Sequence, residues 1–125
     1  MQLEALRIID SEDTPSLAPD DRPIDLVHLA RTTLGDRSLE REVLQLFDRQ
    51  STLLLARMRA AAPGTLVALA HTLKGSARGI GAWRVARAAE AVEAAEGEQT
   101  PRALDALAAV TDEARAVIAD LLKAN

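Results

Sequence analysis

The apolar residues of this chain recur at the spacing of a helix and nowhere at that of a strand. The clearest run lies near the C-terminus, where Leu104, Leu107, Ala108, Thr111, Ala114, Ile118, Leu121 and Leu122 follow at steps of mostly three or four. At ~100° per residue these positions form one stripe on a helix. No segment sustains a period of two and no internal repeat stands out, which confines the chain to an all-α fold. Phe47 and Trp83 are the only aromatics, and a core of Ala, Leu and Val suits helices that approach closely. The architecture predicted is an antiparallel four-helix bundle with an additional short N-terminal helix.

In chain order, residues 1–22 carry acidic residues and two prolines that interrupt any helical period. They read as a tail or extra segment ahead of a bundle domain over 23–125, ordered only if Leu3, Leu6 and Ile8 dock. Asp25 is the expected N-cap of a short helix through Leu34, which Gly35 ends. A long helix follows from Asp36, capped there or at Ser38, with Leu39, Val43, Leu46, Phe47, Leu54 and Met58 at helical spacing. Leu44 and Leu55 fall off that stripe, so this helix either buries a wide face between two neighbours or presents an exposed docking patch. Pro63-Gly64 is expected to close it.

The next helix runs from about Gly64 to Ile80, and Gly81 supplies a left-handed terminus. A fourth helix carries Val85, Ala88, Ala89 and Val92, and Gly97 with Glu98-Gln99-Thr100 makes the next turn. The last helix is predicted to start with Thr100 as N-cap and Pro101 as first residue.

Composition narrows the function. The chain has no cysteine, which excludes disulfides and thiolate metal sites. Its apolar runs fall far short of the ~20 residues that span a bilayer, and its start has no signal-peptide pattern. A soluble, cytoplasmic protein without membrane contact is expected. The net charge of −4 disfavours a nucleic-acid role. Basic residues gather instead in one place, at Lys74, Arg78, Arg84 and Arg87.

That place is the stretch LVALAHTLKGSARGIG, residues 66–81. On a helix, Leu66, Leu69, Leu73, Ala77 and Ile80 take one side and His71 the opposite one, facing water. Val67 and Ala68 lie one turn before His71 on its own face, Lys74 and Gly75 one turn after, Arg78 two turns after. Glycine costs ~1 kcal/mol relative to alanine inside a helix, so Gly75 needs a reason. Leaving out its side chain admits another molecule to the imidazole. Lys74 and Arg78 suit a negative incoming group such as a phosphoryl, although either also suits a plain surface charge. His28 has no such surroundings and reads as structural or exposed.

Ala70-His71-Thr72-Leu73-Lys74-Gly75, with Gly81 ten residues after the histidine, resembles the signature of histidine-containing phosphotransfer (HPt) domains, and the layout resembles theirs from about Ile24 to Leu122. The resemblance implies a helical bundle whose histidine carries phosphoryl groups between aspartates of receiver domains in a multistep two-component phosphorelay. It implies reaction at Nε2 of His71, with the other ring nitrogen held from the following helix at Glu93; Glu90 is the rival. It further implies response-regulator receivers and a hybrid histidine kinase as partners, with Mg²⁺ brought by the receiver and no cofactor of the chain's own. Arg78 and Gly79 depart from the alanine and asparagine common in the family.

Two other readings compete. A chemotaxis-type histidine kinase phosphoacceptor domain shares this fold and favours glutamate at the Glu93 position. A non-catalytic helical interaction module would not need His71, Lys74 and Gly75 intact. No P-loop is visible, so the chain is expected to be a carrier and not an enzyme, and to be monomeric.

Overall fold

The computed structural model describes residues 22–124. Five helices run in order: α1 (Leu26–Thr32), α2 (Arg37–Arg59), α3 (Pro63–Ile80), α4 (Trp83–Ala94) and α5 (Gln99–Lys123). The connections after α2, α3 and α4 are short, which forces successive helices antiparallel. α3 packs between α2 and α4, α5 closes the ring against α4 and α2, and α1 lies across α3. The predicted bundle with its extra N-terminal helix is what forms. The reading of residues 1–22 falls outside the described residues except for Arg22.

The core fills the space inside the ring. Phe47, Leu54 and Met58 of α2 meet Leu66, Leu73 and Ala77 of α3, Val85, Ala89 and Val92 of α4, and Leu107, Ala114 and Ile118 of α5, all buried. Fully burying a Leu, Val or Phe side chain stabilises by roughly 1.5–3 kcal/mol. Alanines at 70, 77, 86, 89 and 114 let the backbones come close. A helix pair held this tightly gives the side chains along its outer seam fixed positions.

The helix ends show where spacing alone misplaces a boundary. Asp25 does cap α1, its Oδ1 accepting from His28 N at 3.1 Å. α1 stops at Thr32, however, two residues short of Leu34, because Leu34 and Gly35 both turn to positive φ, 55° and 74°. Asp36 caps α2, accepting from Leu39 N at 3.0 Å. Pro63-Gly64 opens α3 rather than closing α2: Pro63 is the first residue of α3, where its missing N–H costs nothing. α5 begins at Gln99, not Pro101. Turns from Gln99 N to Glu96 O and from Thr100 N to Gly97 O lead into it, and Pro101 is tolerated in the first turn because that turn's N–H groups have no partner inside the helix.

Gly81 ends α3 at φ 81° and fits a second constraint. A Cβ there would lie 2.9 Å from the Asp25 carbonyl oxygen, and Asp25 N donates to Gly81 O at 2.9 Å. Asp25 Oδ2 also accepts from Trp83 Nε1 at 2.9 Å, while the Trp83 ring meets His28 edge-on. α1 is thereby fastened at the point where α3 turns into α4. His28, expected to be structural or exposed, is a half-buried part of this fastening.

Candidate functional site

His71 stands in the middle of α3 with 71% of its side chain exposed. The core-facing residues of the same helix, Leu66, Ala70, Leu73, Ala77 and Ile80, are buried on the other side. Its Nδ1 lies 3.0 Å from Oε2 of Glu93, which α4 brings alongside. Of the two candidate glutamates, Glu93 is the one that reaches the imidazole; Glu90 lies instead 3.9 Å from the Lys74 ammonium.

Lys74 occupies a different place from that anticipated. Its ammonium does not stand beside His71 in open water but turns along the α3–α4 seam, 2.7 Å from Glu93 Oε1, with 13% of the side chain exposed. That oxygen is shielded from solvent and has the Lys74 ammonium as its partner. The two oxygens of one carboxylate, 18% exposed, therefore hold Lys74 and His71 together. The Lys74 bond, opposed by burial and assisted by His71, holds the Glu93 carboxyl below its usual range. Glu93 is thus ionised at neutral pH and can only accept. A neutral His71 must then carry its proton on Nδ1 and turn the lone pair of Nε2 outward.

Gly75 and Gly79 lie in the body of α3, and a Cβ added to either would meet nothing within 4 Å. Among the described residues no neighbour demands a glycine at these places. Each lowers helix stability by ~1 kcal/mol relative to alanine, and the surface beside them is open. Val67 and Ala68 are exposed on the other flank of His71, and Arg78 is exposed beyond it.

Of the two readings of Leu44 and Leu55, the wide buried face holds and the docking patch does not. Leu44 is buried at 3% exposure, lining with Leu29, Leu121 and Leu122 the cleft where α1 and the end of α5 meet α2. Leu55 is half-buried against the core. The leucines of α2 that face out are Leu39 at 38%, Leu46 at 45% and Leu53 at 57% exposure, successive ones seven residues and two turns apart on one face. Leu46 shares a largely apolar groove with Val43, Ser76 and Gly79, so this face adjoins the cleared side of α3. Leucines at 39, 44, 46, 53, 54 and 55 leave the outward set ambiguous until the flanking helices are placed.

Chemically, the site offers a nucleophilic nitrogen with its tautomer set, a carboxylate to offset positive charge in the ring, and unobstructed approach. Among the described residues, no group of His, Asp and Glu is arranged to hold a metal ion, and no helix is long and apolar enough to cross a membrane. No curated protein and no solved structure shows significant similarity to the chain. A family model does match, that of the Hpt domain, over residues 38–119, which takes in α3, α4 and most of α2 and α5. With this match over well more than half of its length, the chain belongs to the Hpt domain family, whose members carry phosphoryl groups on a histidine in phosphorelays.

Proposed function

We propose that His71 takes a phosphoryl group from an aspartyl phosphate of one receiver domain and delivers it to an aspartate of another. The observation that carries this reading is the bond between Nδ1 and Glu93, which in the neutral imidazole puts the proton on Nδ1 and the free lone pair on Nε2. In the forward step the Nε2 lone pair attacks phosphorus, the N–P bond forms, and the P–O bond to the aspartate breaks with its electron pair remaining on the carboxylate. No proton has to move. The ring, substituted at Nε2 and protonated at Nδ1, gains positive charge that Glu93 offsets across 3.0 Å. The reverse sequence delivers the group to the second aspartate.

The receivers would supply the aspartate, the Mg²⁺ and their own cation, and this chain a positioned nucleophile and a docking face, so that catalysis is mainly alignment and charge stabilisation. Leu46 and Leu53 on α2, Gly75 and Gly79 on α3, and Val67 with Ala68 frame the face a receiver would cover. A carboxylate at 93 also keeps in view a donor of another kind, a histidine kinase catalytic core that phosphorylates His71 directly from ATP. Incubation with isolated kinase cores and with phosphorylated receivers, in parallel, separates the two donors.

The deciding experiment mixes the purified protein with ³²P-labelled receiver domains and follows acid-labile, base-stable phosphate. Label is expected on His71 and none on His71→Gln, whose circular dichroism matches the parent. Label retained by His71→Gln would refute the assignment.

A further inference from the structure

The two cations that flank His71 in sequence separate in space. Lys74 is drawn into the seam by Glu93, and Arg78 is left outside. Arg78 follows His71 by seven residues, which returns it to within ~20° of the same face and about 10 Å further along the helix. It is exposed, and among the described residues no carboxylate lies within ion-pair distance of it. Four arginines of the bundle have partners, Arg59 at Asp105, Arg84 at Glu113, Arg115 at Asp48 and Arg41 on the Leu122 carbonyl; several others lack one among the described residues as Arg78 does, and what sets Arg78 apart is its place on the His71 face.

The surroundings of Arg78 are also cleared. Gly75 precedes it by nearly a turn and Gly79 follows it directly, and a Cβ on either would meet nothing. Side chains on a helix lean toward its N-terminus, so Arg78 leans over Gly75 on the His71 side. Exposed there, Arg78 faces the surface of a molecule that brings the phosphoryl group in. The negative end of α3 favours a cation in its last turn, but that effect does not require an open surface on the His71 face. A planar fork of donors without a partner fits a carboxylate best.

We infer that Arg78 is a specificity determinant of the transfer: it pairs with a carboxylate on the rim of the receiver's phosphoacceptor pocket and favours receivers that carry one there. The inference rests on the reading of His71 as the phosphotransfer centre. Charges at the rim of an interface act chiefly on association rate and on partner choice, and their effect fades with salt.

The test uses the full chain and a panel of purified phosphorylated receivers that differ in acidic residues around the phosphoacceptor pocket. Phosphoramidate serves as a small phosphodonor that does not dock. For wild type, Arg78→Lys, Arg78→Ala and Arg78→Glu, the readout is the ratio of receiver-driven to phosphoramidate-driven labelling of His71, so that changes in nucleophile reactivity or folded fraction cancel. With receivers that carry the rim carboxylate, Arg78→Glu is expected to lower the ratio on the order of tenfold at low salt, with much less effect at several hundred millimolar salt. Arg78→Lys should keep the wild-type order of receivers and Arg78→Ala should flatten it. An Arg78→Glu protein with the wild-type ratio and order at low salt overturns the inference while leaving the phosphorelay reading standing. Wild-type protein that phosphoramidate labels on His71 but no receiver does overturns both.

Discussion

Glu93 holds two partners with one carboxylate, so replacing it by glutamine tests the site as a unit. Glutamine keeps an acceptor for Nδ1–H of His71 but loses the charge that faces Nδ1 at 3.0 Å and the Lys74 ammonium at 2.7 Å. Hydrogen bonds to charged groups contribute roughly 1.5–3 kcal/mol and neutral ones about 0.5–1.5. The difference, over one largely shielded bond to Lys74 and one exposed bond to His71, comes to about 1–2 kcal/mol of stability at pH 7, or about 5–10 °C in Tm for a domain of this size. The Glu93 carboxyl lies below its ordinary value of 4.5 in the folded protein, Lys74 being the main cause. A group depressed in this way stabilises the fold fully above its unfolded value and loses that contribution as pH falls through the folded value. Melts of Glu93→Gln and wild type should therefore differ at pH 7, begin to draw together below about pH 4.5, and converge only once the pH has fallen through the lower folded value. In single-turnover transfer from a phosphorylated receiver, loss of the carboxylate should slow phosphorylation about tenfold, the low end for a group that orients a reacting imidazole, because solvent screens the exposed ring. Glu90→Gln, whose residue stands 3.9 Å from Lys74, is the control and should change both quantities little. Parallel melting curves from pH 3 to 8 with an undiminished rate would remove Glu93 from the account.

Gly75→Ala should raise the stability of the isolated domain by up to ~1 kcal/mol, since its Cβ meets nothing, while Gly75→Leu should impair transfer from receivers without unfolding the domain; denaturant melts and transfer rates measure the two halves, and undiminished transfer by Gly75→Leu would defeat the access argument. Leu46→Asp with Leu53→Asp should weaken receiver binding by tenfold or more at little cost in stability, as both side chains are exposed, whereas Leu44→Ala should cost about 2–5 kcal/mol in a melt because Leu44 is core. Thr111 is fully buried with its Oγ1 lacking a partner among the described residues; Thr111→Val should stabilise by about 1 kcal/mol, read as a shift in denaturation midpoint.

Legibility in the sequence followed the range of the interactions involved. The exposure of His71 was readable because it depends only on angles within one helix, and the candidacy of Glu93 came from the spacing of the family pattern. Leu44, Leu46 and Leu53 were not sortable in the same way. α2 has leucine on several sides, and which ones face water is decided by α1 and the end of α5, whose packing no local spacing encodes. Lys74 failed for a related reason: it sits at the edge of the His71 face, and its direction is decided by a carboxylate on another helix. The start of α5 was misplaced because proline is acceptable throughout the first turn, so Pro101 marks that turn without marking its first residue.

The fastening of α1 has a bearing on how the domain opens. One side chain, Asp25, closes the first turn of α1 and accepts the Trp83 indole, and its backbone N–H takes the carbonyl at the end of α3. α1 otherwise packs on α3 alone among the major helix contacts, and takes no part in the ring of four. Local opening of α1 is then expected to precede global unfolding, which amide exchange would show as lower protection in α1 than in the ring. Such an opening would strip Thr32 from one wall of the groove beside Gly79 and uncover Leu44 of α2, while the histidine and its carboxylate, held between α3 and α4, keep their bond.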